Sequence, residues 1–222
     1  MKKYELTNET MKIGTTTMHR IKALAAFADV VAGELGGWIE KESNLDQDGN
    51  AWVSGDARVY GNARVSGDAR VSGDAWVSGD ARVSGDARVY GDAWVSGDAR
   101  VSGDARVSGN SWVYGNARVS GDARVSGNSW VYGNAEIYGN KHYIVIAPIG
   151  SRDDSITFTR DKEGSIFATV GCFNGTLAKF REKVKETHGE NINAKEYLLA
   201  AQLAETRIDT TPIDDNTEDG EK

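Results

Sequence analysis

The sequence predicts a left-handed parallel β-helix, and three observations support this prediction. From Ala51 onward the chain repeats the hexapeptide Val-Ser-Gly-Asp-Ala-Arg, with Val or Ile at every sixth position from Val53 to Ile137. Gly follows the aliphatic residue by two positions, Asp or Asn by three, and Ala or Ser by four. Tryptophan recurs every 18 residues, so three hexapeptides form one coil; these tryptophans are Trp76, Trp94, Trp112 and Trp130.

Each position of the hexapeptide has a physical reason. The β-branched aliphatic residue packs inward from the middle of a strand. Gly and Asp or Asn form the corner, because these residues best tolerate a positive φ angle. The small Ala or Ser fills the inside of that corner. The other positions face outward, and they divide the predicted prism into three faces.

One outward face is aromatic and two are rich in arginine. The aromatic face carries Arg58, Tyr60, Trp76, Trp94, Trp112, Tyr114, Trp130 and Tyr132. The second face carries Arg64, Arg82, Arg100, Arg118 and Glu136. The third face carries Trp52, Arg70, Arg88, Arg106 and Arg124.

The repeat divides the 222-residue chain into four predicted parts: a cap (1–50), the β-helix (51–140), a small α+β domain (141–208) and a disordered acidic tail (209–222). In the cap, residues 2–6 and 11–24 are expected to form short strands. An imperfect first coil follows them, with Leu45 in a small-residue position.

The segment after the repeat is expected to contain a hairpin and two helices. Strands at 155–160 and 165–173 flank the turn Asp161-Lys-Glu-Gly164. Thr176 caps a first helix that ends at Gly189, and Asn193 begins a second helix. The single cysteine, Cys172, falls within a predicted buried strand.

Composition indicates a cytoplasmic protein that binds neither membranes nor nucleic acids. One cysteine cannot form an internal disulfide, and no signal peptide or membrane-spanning run is evident. The net charge of −7 resides mainly in the ends, because the repeat balances nine Arg against nine Asp and Glu136. A nearly neutral rod lacks the basic surface that nucleic acid requires.

The repeat resembles the left-handed β-helices of hexapeptide-repeat proteins. The ends resemble a narrower group of such proteins, encoded by tailed phages and prophages. The matching segments are the entry Gly36-Gly-Trp-Ile39 and three tail segments, Pro148–Arg152, Gly171–Leu177 and Thr187–Gly189. This resemblance implies a phage-encoded protein in the host cytoplasm, and it implies context more than mechanism.

Enzymatic chemistry finds little support in the coils. Related acyltransferases carry a catalytic histidine in or beside the coils, and the gamma-class carbonic anhydrases hold zinc with three. The histidines of this chain are His19, His142 and His188, all in the ends. The corner aspartates are better explained as turn residues than as Ca²⁺ ligands, since Asn replaces Asp freely there. We therefore expect no enzymatic activity, no cofactor and no metal.

Two candidate binding sites follow from these observations. The aromatic face, with Trp76, Trp94, Trp112, Tyr114, Trp130 and Tyr132, is a candidate homo-oligomer (trimer or dimer) or partner interface. The alternative is a ladder of rings that stabilises its own sheet. The turn Gly150-Ser151-Arg152, with His188, is a candidate anion site, and a plain solvated turn is its alternative.

The leading hypothesis is a phage accessory protein that acts by binding. Its target would be a host protein or a small anionic, nucleotide-like ligand, whose capture would interfere with a host process. One alternative is a structural component of a virion or assembly. Another is a divergent hexapeptide acyltransferase.

Overall fold

The computed structural model of the protein describes residues 2–212, and a parallel β-solenoid forms its centre. Its two-residue strands are β4 Trp52–Val53, β5 Arg58–Val59, β6 Arg64–Val65, β7 Arg70–Val71, β8 Trp76–Val77, β9 Arg82–Val83, β10 Arg88–Val89, β11 Trp94–Val95, β12 Arg100–Val101, β13 Arg106–Val107, β14 Trp112–Val113, β15 Arg118–Val119, β16 Arg124–Val125, β17 Trp130–Val131 and β18 Glu136–Ile137. Each strand pairs in parallel with the strand one coil later, as Trp94 does with Trp112. The three sheets carry the three predicted faces, and the predicted fold class is confirmed.

The core of the solenoid follows the hexapeptide. The aliphatic residues from Val53 to Ile137 are fully buried, and so are nearly all the small corner residues. Gly85 illustrates why glycine occupies the corner. Its φ angle is +65°, and an added Cβ would lie 2.9 Å from the backbone N of Gly103 in the next coil. Any side chain at this position would push adjacent coils apart.

The N-terminal cap continues the sheet of the aromatic face. Strands β1 (Tyr4–Ile13), β2 (Thr16–Ala23) and β3 (Leu35–Ile39) pair in antiparallel order, and β3 pairs in parallel with β5. β1 extends well beyond the predicted segment 2–6, whereas β2 lies within the predicted segment 11–24. Because they cover the first edge of this sheet, the cap protects strand pairing that would otherwise be open.

The first coil corrects one prediction. Leu45 is bridged to Val65 and is 1% exposed, so it occupies an aliphatic position and not a small-residue position. The register differs because Val53, the next aliphatic residue, comes eight positions after Leu45. With this coil, which also contains β3 and the 3-10 turn Glu42–Asn44, the solenoid has about six turns.

The C-terminal domain is a four-stranded antiparallel sheet with two helices. Its elements are β19 Tyr143–Ile149, β20 Asp154–Arg160, β21 Ile166–Val170, β22 Phe173–Thr176, α1 Leu177–His188 and α2 Ile192–Arg207, with a 3-10 turn at Gly150–Arg152. The predicted cap at Thr176 and helix end at Gly189 are confirmed. The start predicted at Asn193 is wrong, because the Asn191 side chain accepts from the N–H of Ala194 at 3.0 Å. Cys172 is exposed in the β21–β22 turn, so its predicted burial is also wrong.

The C-terminal sheet packs against the last coil. The N–H of Trp130 donates to Oγ1 of Thr157 at 3.0 Å, and Oγ of Ser155 donates to the carbonyl of Asn128 at 3.1 Å. The C-terminal sheet, held by these hydrogen bonds, covers the second end of the solenoid. Among the helices of residues 2–212, none is long and apolar enough to cross a membrane. Residues 213–222, most of the predicted tail, lie outside the described residues.

Candidate functional site

A cavity of about 300 Å³ lies in the C-terminal domain, between the two helices and the loops of the sheet. It is lined by Ser151, Arg152, Asp154, Val170, Gly171, Cys172, Phe173, Phe180, Lys183, Val184, Thr187, His188 and Tyr197. All three tail segments that carry the phage-group resemblance contribute to this lining. They are separate in sequence and converge on one space.

Helix α1 supplies one wall of the cavity. Its lining residues are spaced by three and four positions, which places them on one face of a helix; they are Phe180, Lys183, Val184, Thr187 and His188. The side chain of Thr176 accepts a hydrogen bond from the N–H of Lys179 and fixes where this helix begins. The cap therefore sets which side chains face the cavity.

The structure brings most of the predicted anion site together. Ser151, Arg152 and His188 all line the cavity, although His188 lies on a different element. Gly150 contributes in another way. Its N–H donates to Oε2 of Glu196 at 3.0 Å, so this amide is already bonded within the chain.

Gly150 also allows Tyr197 to approach the loop. Its φ angle is +70°, and an added Cβ would lie only 2.0 Å from Oη of Tyr197. A residue with a side chain would displace the tyrosine ring from the cavity wall. The glycine therefore shapes the site without contacting its interior.

The side chains that line the cavity carry two positive charges and one negative charge. Arg152 and Lys183 are opposed by the carboxylate of Asp154, and Lys183 also forms an ion pair with Glu186 at 2.9 Å. Burial, and then the negative charge of Asp154, raises the pKa of the Tyr197 phenol. Its hydroxyl stays protonated at neutral pH and can donate a hydrogen bond.

Apolar and aromatic side chains form the rest of the wall. The ring of Phe180 lies 5.6 Å from Phe173 and 5.8 Å from Tyr197, and His188 lies 5.5 Å from Tyr197. Such a wall suits a flat, apolar group, while the cations suit an anionic one. Sequence reasoning missed Lys183 and Tyr197, although the four-residue spacing from Thr187, in one of the matching tail segments, would have indicated Lys183.

The aromatic face forms a continuous column of stacked rings. Trp76, Trp94, Trp112 and Trp130 stack at centroid distances of 4.8, 4.9 and 5.3 Å, with interplanar angles of 7° or less. The guanidinium of Arg58 lies 4.9 Å from the Trp76 ring and continues the column toward the cap. This geometry is the stabilising ladder considered as the alternative to an interface.

Part of the aromatic face is nevertheless open to solvent. Trp112 is 37% exposed and Tyr132 is 38% exposed, while Trp76, Trp94, Tyr114 and Trp130 are half-buried. Tyr114 and Tyr132 pack at 4.3 Å beside the tryptophan column. A ladder and an interface are compatible on this surface, and the interface stays a prediction.

Within residues 2–212, no group of three or more His, Cys, Asp or Glu side chains is arranged to hold a metal ion. His142 takes a structural position, where its Nδ1 accepts from the N–H of Tyr138 at 3.0 Å. Its side chain supports the junction between the last coil and the C-terminal sheet.

Comparison with known proteins bears on the repeat region. A model described as the YdcK β-solenoid repeat matches residues 51–65, 63–79, 81–97, 99–115 and 117–133. The coils are similar to this repeat. The chain is also 39% identical over 61 residues to the "Uncharacterized acetyltransferase YdcK" of Escherichia coli strain K12. That similarity covers 24% of this chain and only 19% of the E. coli protein. The cavity lies outside the residues that the repeat model matches.

Proposed function

We propose that the protein acts by binding, without catalysis, and that the C-terminal cavity captures a small anionic, nucleotide-like ligand. The convergence of the three tail segments on one cavity is the observation that carries this proposal. The segments supply Arg152, Cys172 and His188 from three different elements. Their shared resemblance to the phage group is then explained by a common site.

The chemistry of the wall supports a ligand with an anionic group and a flat ring. Arg152 and Lys183 provide charge, and charge-assisted hydrogen bonds to phosphate are among the stronger polar contacts. Phe173, Phe180 and Tyr197 provide aromatic surface against which a base can pack. A volume of about 300 Å³ is at the small end of the range for ligand pockets. A mononucleotide suits this size better than a large cofactor.

The β-solenoid acts in this proposal as a rigid support. Its aliphatic core residues are fully buried and its strands pair in strict register, so it supports the cap and the C-terminal domain as a stiff rod. The phage context comes from the resemblance of the ends to phage-encoded proteins. In that setting, capture of a nucleotide signal in the host cytoplasm would interfere with a host process.

A second candidate function is acyl transfer. The similarity to an E. coli protein named as an uncharacterised acetyltransferase favours it. Against it, residues 51–140 contain no histidine, so the coils lack the usual general base. The two functions predict different ligands and different binding places.

Calorimetric titration with adenosine monophosphate and with acetyl-CoA tests both functions. We expect adenosine monophosphate to bind, and Arg152→Ala to weaken binding about tenfold or more, since a charge-assisted contact is lost. Lys179→Ala is the matched control, because it removes one exposed positive charge from α1 without lining the cavity. Equal weakening by both variants would contradict the proposal. Binding of acetyl-CoA alone would favour the acyltransferase.

A further inference from the structure

A second cavity lies on the third face of the solenoid, where a loop of the cap overhangs the strands. Its volume is about 520 Å³. Ala28 and Asp29 form its cap side, and the solenoid side includes Arg88, Tyr90 and Arg106. None of these residues belongs to the C-terminal cavity. We call this space the arginine groove.

The overhang is a tight turn held in a defined place. Phe27 and Val30 exchange backbone hydrogen bonds of 3.1 and 2.8 Å, which leaves Ala28 and Asp29 as the two turn residues. The ring of Phe27 packs edge-on against the buried Trp52 at 5.5 Å and anchors the turn to the first coil. The groove is therefore built by side chains of the cap and of the solenoid together.

Ala28 adopts a φ angle of +44° in this turn. A residue with a Cβ atom occupies that region at a cost of about 1–2 kcal/mol. Strained backbone of this kind clusters at functional sites. In this turn Asp29 lies over the arginines of the third face, and its carboxylate forms an ion pair with Arg70.

The arginines below Arg70 have no such partner. Strand pairing sets Arg70, Arg88 and Arg106 side by side, at the strand spacing of about 4.8 Å. Arg88 and Arg106 are exposed, and no carboxylate of residues 2–212 comes within 4.0 Å of either guanidinium. Arg88 and Arg106 thus lie next to each other in a row of like charges that continues to Arg124, below a single neutralised pair. A bound dianion would offset their repulsion.

Hydroxyl groups complete the groove. Tyr90 replaces the serine that otherwise follows each strand of this face; the serines are Ser54, Ser72, Ser108 and Ser126. Serine occupies this position in all the remaining coils of the third face, so the geometry of the repeat does not require a tyrosine here. Tyr90 is 41% exposed and, with Ser72, lines the groove beside the free arginines. Guanidinium and hydroxyl donors around an open space are suited to phosphoryl oxygens.

We propose that the arginine groove binds one or two adjacent phosphoryl groups of a small ligand, held by Arg88 and Arg106 with Tyr90 as a hydroxyl donor. The one-strand separation of the two arginines fits a phosphate or diphosphate group. A long polyanion would instead contact both arginine-rich faces along their length. The groove and the C-terminal cavity are separate sites that share no lining residue.

Calorimetric titration with inorganic pyrophosphate at low ionic strength tests this site. The protein carries Arg152→Ala throughout, which removes a cation of the C-terminal cavity from the measurement. Arg88→Ala and Arg106→Ala are each expected to weaken binding by about tenfold to a hundredfold, because each removes a charge-assisted contact. Tyr90→Phe is expected to weaken it by about threefold.

Arg82→Ala is the matched control. Arg82 is exposed in the same hexapeptide position on the second face, with an arginine on the neighbouring strand to each side and outside the groove. Its substitution should leave the dissociation constant within about twofold. Thermal melting of each variant without pyrophosphate checks that the fold is intact. Absence of pyrophosphate binding, or equal weakening by Arg82→Ala and Arg88→Ala, would overturn the site.

Discussion

Substitution of Trp94 by alanine should destabilise the solenoid, because it removes a ring from the middle of the stacked column. Trp94 lies between Trp76 and Trp112, at centroid distances of 4.8 and 4.9 Å. An aromatic pair contributes about 0.5–1.5 kcal/mol beyond its area burial. Loss of two pairs should therefore lower the free energy of unfolding by about 2 kcal/mol, in addition to the effect of the lost area burial.

Two further substitutions separate stacking from other effects. Trp94→Arg places in this position the residue that occupies it on the other two faces. It should cost less than Trp94→Ala, because a guanidinium can pack on the neighbouring rings as Arg58 packs on Trp76 at 4.9 Å. Arg100→Ala, one strand later and exposed, is the control and should change stability by no more than about 0.5 kcal/mol.

Urea unfolding followed by far-ultraviolet circular dichroism measures all three variants on the same signal. The expected order of destabilisation is Trp94→Ala, then Trp94→Arg, then Arg100→Ala. If Trp94→Ala destabilised the protein no more than Arg100→Ala does, the stacked column would not stabilise the fold. The aromatic residues would then need another explanation, with an interface the first to consider.

Three further predictions concern the ends and the surface. Gly150→Ala should lower the melting temperature and expel Tyr197 from the cavity wall, because the added Cβ would lie 2.0 Å from its Oη; an unchanged melting temperature would contradict the close approach. Burial and the charge of Arg160 lower the pKa of His142, so the folded state favours neutral imidazole and stability should fall as the pH drops below about 6.5. His142→Gln should flatten that decline in urea titrations, and an unaltered pH slope would exclude this histidine as its source. Trp112 is 37% exposed; if the aromatic face is a self-association surface, Trp112→Arg should shift sedimentation velocity profiles toward monomer, whereas unchanged profiles would count against that surface.

The solenoid was predictable because its sequence specifies every position repeatedly. An aliphatic residue, a corner glycine and a small residue recur in the same order, and a shift of register would place polar groups in a buried apolar core. The prediction failed at Leu45, where a connection two residues longer than a hexapeptide restarts the register. A single irregular coil offers no repetition from which such a shift can be recognised.

The ends were predictable only where local signals were unambiguous. Thr176 and Gly189 bound their helix as expected, whereas two asparagines near residue 192 offered competing caps and the earlier one is used. Cys172 was assigned to a strand because apolar residues surround it, but Gly171, with a φ angle of +54°, turns the chain there.

The candidate sites depend on tertiary packing that sequence spacing does not encode. Arg152 and His188 were each noticed, yet their shared cavity follows from the docking of α1 and α2 on the sheet. The pairing of Asp29 with Arg70 likewise depends on a cap loop without periodicity. A regular sequence pattern predicts a single helix or strand. These contacts form between separate helices, strands and loops whose sequences share no common pattern.

The central claim is that the nucleotide binds in the C-terminal cavity. Amide chemical-shift mapping during titration with adenosine monophosphate tests it most directly, in protein that carries Arg88→Ala to remove a cation of the arginine groove. The cavity site predicts changes concentrated at Ser151, Arg152, Cys172, Phe173 and His188, with the amides of residues 60–125 unaffected. Changes concentrated on the coils, or none at saturating nucleotide, would contradict the claim.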